Sequence, residues 1–317
     1  MPSQFRLTNV SVLRSIARVS LIIAAAIVAA IAFVRQPTID RNDRLTVHAS
    51  PDVLRRDVLA LTSFNRCGDD PRAAAYIARR FAETGARVSE QVFVARRRTY
   101  RNLIAQFDGA GLPVIVGAHY DAFCASRPLP GADDDASGVA GLLELARIAA
   151  AMPRRAPLIL VAYANEEPPF FASEDMGSAV HARGVRQPVR GMISLEMIGC
   201  FTERQAWPSS LLAAIYPRRG NFVAVAGRWR DVPWLRQVKR GLGATMPAVG
   251  FVGPSDSGID ASDHRSYWAA GIRAVMVTDT AYLRNPRYHT AADMASTLDY
   301  VSMAHVVDGV ANGLFSN

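Results

Sequence analysis

Lysine is almost missing from this sequence: Lys239 is the only one, and the remaining basic residues are scattered arginines. The formal net charge of +8 therefore comes without an Arg/Lys block interleaved with aromatics, the pattern that marks a nucleic-acid surface. The skew reads as codon bias in a GC-rich genome, and no nucleic-acid partner is expected. Cysteine is sparse too. Cys67, Cys124 and Cys200 show no CxxC or other close spacing, which excludes a thiolate zinc clip. In an oxidising compartment two of them can pair and leave one over; three unrelated small buried residues is an equally good reading. Internal repeats are lacking, low complexity is confined to the N-terminal apolar run, and no acidic residue precedes Asp40.

What is present suits a packed enzyme. Half of the 317 residues are apolar and 20% are charged, so a globular core is feasible and wholesale disorder is excluded. The length allows one large α/β domain or two smaller ones. At the N-terminus, Leu21–Val34 is uninterruptedly apolar behind Arg6, Arg14 and Arg18. The run falls short of the roughly 20 residues that span a bilayer core. Ala30-Ile31-Ala32 offers a small-x-small cleavage site, but it lies inside the run, with Phe33 and Val34 still to come. The expected organisation is a basic segment over 1–18, a transmembrane anchor or signal peptide over 19–34, a linker over 35–50 and a single domain over 51–317. A retained anchor is the favoured alternative. Either way the domain is exported, to the extracytoplasmic face of the inner membrane or, after cleavage, as a secreted protein. The oligomeric state is not legible.

The pattern along the domain alternates. A helix is expected from Pro51 to about Leu61, and a second after Asp70 as N-cap, with Pro71 opening it and Gly85 stopping it. RVSEQVFVA from Arg87 alternates as a strand. The strands LPVIVGA, PLILVAYA, GMISLEMIG, FVAVAG and IRAVMVT follow. Helices are expected from about Ala136, near Asp175, around Trp234–Leu242 and from about Ser296. Such alternation predicts an α/β fold: a mixed, mostly parallel central sheet flanked by helices on both faces, with ligands at the C-terminal strand ends.

Chemistry-bearing residues stand at those ends. His119 follows PVIVGA directly, and a carboxylate two residues on, Asp121, can hold the other ring nitrogen and fix the tautomer. Asp133-Asp134-Asp135 repel one another unless solvated or neutralised by a cation; an acidic helix start explains one or two of them, a metal-binding turn all three. Glu166 and Glu167 leave the strand LILVAYA pointing apart, so one can bind a metal while the other acts as a base; a solvated turn pair is the plain alternative. Glu196 interrupts an apolar strand and needs a cation, a proton or a hydrogen-bond partner. His289 lies in a polar loop after AVMVT, where an isolated imidazole is ordinarily just solvated. Taken together, two histidines and several carboxylates at successive strand ends are the inventory of a two-zinc hydrolytic site.

In this order GAHYD, PGADDDASG, the Glu166-Glu167 pair, LEMIG, SDHRSYW and RYHTAAD resemble the di-zinc aminopeptidase family, numbered twenty-eight among metallopeptidases, over roughly residues 50–317. Glutamate carboxypeptidases and glutaminyl cyclases share its fold. The resemblance implies a zinc exopeptidase-like domain that removes N-terminal amino acids from peptide substrates. It implies two zinc ions, with cobalt or manganese as alternatives that N/O sites discriminate only weakly. His119 and Glu196 would hold one ion, Glu167 and His289 the other, and Asp134, four residues before Gly138 in the family's D-x-x-S-G pattern, would bridge them. Glu166 would be the general base, Tyr288 would steady the oxyanion and Asp121 would support His119. The Asp256 and Asp263 region would contribute to a pocket for the substrate's amino group. Glu196 departs from the Asp that such aminopeptidases often carry. A glutaminyl cyclase-like aminoacyltransferase is the first alternative, opposed by Tyr288 where the resembling cyclases carry Trp; a non-catalytic ectodomain is the second, opposed by the complete ligand set.

Overall fold

The computed structural model describes residues 4–315 apart from 40–41, 69, 125–126, 154–155 and 255–257. It begins with helix α1 (Gln4–Arg35), whose stretch Ser15–Arg35 has a mean hydropathy of 2.5 and is long and apolar enough, by length and composition, to cross a membrane. The helix is longer than the Leu21–Val34 run because Ser and Arg continue it toward the N-terminus without breaking it. Of the 35–50 stretch, expected as a linker, Arg35 still belongs to α1; the described residues after it hold no helix or strand, yet they are tied to the domain. Lys239 Nζ donates to the Gln36 carbonyl at 3.1 Å, and Leu45 and Ala49 are buried. At the end of α1, Phe33 stacks on Trp229 at 4.9 Å.

Helix α2 (Pro51–Thr62) starts where Ser50 Oγ accepts the Val53 N–H, and buries Leu54, Val58 and Leu61, one apolar face at helical spacing. Burying each such side chain contributes roughly 1.5–3 kcal/mol. Helix α3 (Pro71–Ala82) is capped by Asp70, which accepts the Arg72 N–H at 2.8 Å, and Gly85 follows at φ +73°. Strand β1 (Arg87–Ala95) then turns back into β2 (Arg98–Phe107), for which the sequence reading has no counterpart. The hairpin turn is Arg96-Arg97, both at positive φ (46° and 65°), a conformation usually announced by Asn or Gly.

The remaining elements are β3 (Val114–His119), α4 (Gly138–Ala151), β4 (Leu158–Tyr163), α5 (Gly177–Gly184), β5 (Gly191–Glu196), α6 (Ser210–Ile215), β6 (Val223–Arg228), α7 (Val232–Leu242), β7 (Ala248–Gly253), α8 (His264–Ala269), β8 (Ala274–Thr278) and α9 (Tyr300–Phe315). Strand β7 and helices α6 and α8 are further elements the sequence did not announce. Helix α9 starts later than Ser296 because Asp299 caps it, accepting the Ser302 N–H at 3.0 Å.

The eight strands form one sheet in the order β1-β2-β4-β3-β5-β8-β6-β7. The β3·β4, β3·β5, β5·β8 and β6·β7 pairs are parallel, and the β1·β2, β2·β4 and β6·β8 pairs antiparallel. This is the mixed, mostly parallel sheet expected, with helices on both faces. Alternate residues of the central strands feed two cores. Val116 and Leu160 pack with α2, α3, α4, α7 and α9, while Ile115, Val161 and Tyr163 pack with α5 and α8. Gly117 has no side chain because a Cβ there would run into the Tyr163 ring. From β3 the chain moves outward one way to β4 and the other way to β5, so the C-terminal ends of these strands form the crevice where ligands bind in such sheets.

Candidate metal centre

His119 is the last residue of β3, Glu196 the last of β5, and Glu166-Glu167 leave β4 after Asn165. His289 comes from the loop after β8, at φ +56°. Asp134 comes from the irregular turn Ala132–Ser137, entered through Gly131 at φ +52°. The structure brings all five together. The donor atoms of His119, Asp134 and Glu196 lie within 4.8 Å of one another, as do those of Asp134, Glu167 and His289. Asp134 belongs to both sets.

The pair distances are short: 3.3 Å from His119 Nε2 to Asp134 Oδ1, and 3.6 Å to Glu196 Oε2. His289 Nε2 stands 3.0 Å from Asp134 Oδ2 and 3.2 Å from Glu167 Oε1. Yet His119 Nε2, Asp134 Oδ2, Glu167 Oε1 and His289 Nε2 are all buried without a hydrogen bond. Buried polar atoms are ordinarily paired. Donor atoms grouped this closely within each triad suit a divalent ion held by bonds of about 2.0–2.2 Å from N and O donors.

Electrostatics point the same way. Burial is the largest influence on Glu166 and pushes its carboxyl well above the usual range, with Glu196 and Glu167 adding to the rise. Glu167 is raised to about 7, first by burial and then by Asp134. Glu196 is raised by burial as well. For His119 burial opposes the charge, but Glu166 and Glu196 outweigh it and hold the imidazole well above its ordinary value. So many carboxyls cannot all ionise side by side without cations among them.

The three consecutive aspartates have three different tasks. Asp133 accepts the Gly199 N–H at 2.9 Å and the Asn285 amide at 2.7 Å. Asp135 accepts the Gly138 and Met197 N–H groups at 3.1 and 3.0 Å. Asp134 alone faces both imidazoles. Asp121 differs in detail from the expectation. The His119 Nδ1–H donates to the Asp121 carbonyl at 3.1 Å, and the carboxylate, 3.5 Å from the same nitrogen, accepts the Glu166 and Glu167 N–H groups at 3.1 and 3.0 Å.

Tyr288 stacks on His289 at 3.8 Å, and Phe123 stacks on it at 4.0 Å. Burial first, then Asp134 and the glutamates, keep the Tyr288 phenol protonated far above neutral pH. Asp263 is fully buried, raised to about 7 by burial, and lines neither cavity beside the centre; Asp256 lies outside the described residues. The sequence reading missed Phe123, and it missed Ser262, whose hydroxyl donates to Glu196 at 2.7 Å. It missed Asp293, which accepts the Asp133 and Asp134 N–H groups at 3.0 and 3.2 Å. It also missed Arg66, a fully buried guanidinium that donates to the Tyr120 carbonyl at 3.3 Å and the Gly131 carbonyl at 2.6 Å. Cys67 and Cys124, next to Arg66 and Phe123, form a disulfide, and Cys200 is free and buried.

An apolar cavity of about 160 Å³ borders the centre at Glu196 and Tyr288, with Trp207, Leu212, Phe251 and Met276 among its walls. A second cavity borders it at Asp121 and Glu167.

Comparison with known proteins gives the family and supports the fold. Over 304 residues the chain is 42% identical to the Escherichia coli (strain K12) protein YfbL, covering 89% of this chain and 93% of that one. The LapA aminopeptidase of Legionella pneumophila superposes with a TM-score of 0.67 at 20% identity, over 85% of this chain and 73% of that one. A glutaminyl cyclase of Bacteroides thetaiotaomicron superposes at 0.66 with 19% identity, over 86% and 99%. These two likenesses concern the fold. The model of Peptidase family M28 matches residues 102–314, a range that includes His119, Asp134, Glu167, Glu196 and His289, and the chain belongs to that family.

Proposed function

We propose that the protein is an exported, membrane-anchored zinc aminopeptidase whose domain over 51–317 carries two metal sites sharing Asp134. The observation that carries this reading is the pair of triads, His119/Asp134/Glu196 and Asp134/Glu167/His289, with four buried donor atoms that have no hydrogen-bond partner. Zinc is supported by several relatives named probable zinc metalloproteases, and aminopeptidase activity by relatives named probable leucine aminopeptidases.

Bound there, two zinc ions would lower the pKa of a water and polarise the scissile carbonyl. The protein's part follows from its geometry. Glu166, 3.9 Å from His119 Nε2 and not a member of either triad, takes the water's proton and later returns it to the leaving amine. The protonated Tyr288 hydroxyl donates to the developing oxyanion. The apolar cavity beside Glu196 and Tyr288 takes the side chain of the residue being released and excludes water. Helix α1 supports membrane anchoring, and the Cys67–Cys124 bond suits an oxidising compartment outside the cytoplasm.

The test is elemental analysis with product identification. The purified full-length chain should carry close to two zinc ions and release free amino acids from unblocked peptides but not from N-acetylated ones. Loss of ammonia from N-terminal Gln peptides without cleavage would replace this reading with a cyclase. Full activity without metal would end it.

A further inference from the structure

The two cavities beside the metal centre share no lining residue and differ in character. The apolar one reaches Glu196; the other, about 400 Å³, reaches Glu167 and is walled by the β1–β2 hairpin through Arg96 and Arg98. The two arginines differ. Arg96 is held in place, its Nη2 donating to the Pro169 carbonyl at 3.0 Å and its guanidinium 5.1 Å over the Phe170 ring. Arg98 is exposed, and its guanidinium has no hydrogen bond or ion pair among the described residues. Asn165 lines the same cavity. It is 1% exposed, and neither its Oδ1 nor its Nδ2 has a partner. A buried amide left open on both sides needs a polar guest.

Among the described residues the only acidic side chains lining this cavity are Asp121 and Glu167. Asp121 already spends its carboxylate on two backbone N–H groups, and Glu167 faces His289. Among the described residues, then, neither carboxylate is free to neutralise the guanidinium wall. A guanidinium fork matches a carboxylate in two parallel hydrogen bonds.

We infer that this cavity binds the residue that follows the scissile bond and selects a carboxylate on it, with Arg98 as the specificity-determining contact and Arg96 and Asn165 in support. The inference rests on the peptidase reading. With the released side chain in the apolar cavity, the chain crosses Asp134 and its next residue enters the cavity at Glu167. An extended residue advances the chain by about 3.3–3.6 Å, so only groups on that residue arrive first. The carboxylate has two sources, the terminal α-carboxylate of a dipeptide or an Asp/Glu side chain in that position. Dipeptides and peptides with an acidic second residue are thus the preferred substrate classes.

The experiment uses the full-length zinc-loaded chain in detergent and two substrate pairs, Leu-Gly against Leu-Gly-amide and Leu-Glu-amide against Leu-Gln-amide. The carboxylate member of at least one pair should have a kcat/KM about tenfold higher, carried by KM. Preference in the first pair assigns the terminal carboxylate, in the second the acidic side chain. Arg98→Glu should bring the ratio to one or below, and Arg98→Lys should keep part of it. Equal kcat/KM within both pairs, or a preference that survives Arg98→Glu, overturns the inference. Calorimetry with the Glu166→Gln chain separates the two readings. If none of the four compounds is hydrolysed, the peptidase reading fails, and the subsite is judged by binding alone. A lower Kd for the carboxylate member supports it, and equal Kd values within both pairs overturn it.

Discussion

Oδ2 of Asp121 accepts the backbone N–H of Glu167 at 3.0 Å, so a residue at the end of β3 sets where the first glutamates after β4 stand. Its other oxygen takes the Glu166 N–H at 3.1 Å. One carboxylate thus aligns a metal-triad member and its neighbour through their main chain, and the Asp121 carbonyl orients His119. Asp121→Asn replaces one acceptor with a donor facing an N–H. Zinc affinity should fall about 10–100-fold, the usual effect of changing a group that orients metal ligands. Competition with a chelator measures it; an unchanged affinity would mean that the turn holds itself.

The two adjacent glutamates should respond differently to the same change. Glu166→Gln keeps shape and polarity but cannot accept the water's proton, so kcat should fall by about 10²–10⁴ with both metals retained. Glu167→Gln removes an anionic donor from the His289 triad and should lower metal occupancy, with added zinc restoring part of the activity. Metal content and kcat measured on both variants decide between these roles. Swapped phenotypes would reverse the assignment, and two near-wild-type enzymes would remove it.

Cys67 and Cys124 close a loop of sequence separation 57, which in the chain-entropy account stabilises the fold by about 4 kcal/mol. The double change Cys67→Ser/Cys124→Ser should therefore lower Tm by several degrees, and a reducing agent should do the same to the parent protein. The bond also lies on the wall of the arginine-lined cavity. A variant with unchanged Tm would show that Arg66 and its carbonyl partners hold this region unaided.

Burial holds His181 at about 4, below its ordinary 6.5, in a hydrogen-bonded row with Tyr267 (2.6 Å) and Tyr163 (2.7 Å from Tyr267). The unfolded chain binds the proton more tightly. Stability is therefore intact above pH 6.5, falls as the pH drops through 6.5 toward about 4, and levels off below that. This group accounts for up to about 3 kcal/mol of the loss. Denaturant unfolding at pH 7, 5.5 and 4.5 should show a shallower decline in His181→Gln than in the parent, whereas parallel curves would mean that the carboxyl groups alone set the acid limit.

The sequence alone determined the alternation of the fold and offered candidates for the site. His119, Glu167 and Glu196 were legible as candidates because parallel α/β sheets gather chemistry at strand ends, and the strands leading to them are apolar enough to recognise. Asp134 and His289, by contrast, stand in loops and were singled out by family resemblance. Strand β2 was not legible, because its hairpin turns on Arg96-Arg97 at positive φ, a strain carried by sheet pairing on both sides of β2 rather than by the residues themselves. The 35–50 stretch reads as a linker because it is polar and aperiodic. Its docking rests on partners far along the chain, such as Asn312 to Asp43 at 2.9 Å.

The aspartate triplet divides the two kinds of information most sharply. Composition and spacing determine that three carboxylates open an apolar helix, and family resemblance singles out the second. Only the tertiary structure sends Asp133 to Asn285, Asp135 to Met197 and Asp134 to the two imidazoles. The same holds for Arg66, Phe123, Asn165 and Arg98, which carry no pattern of their own. Local sequence encodes periodicity and turn chemistry, which act over a few residues. Which orphaned donor meets which acceptor depends on packing between segments well separated along the chain, and burial makes that meeting obligatory.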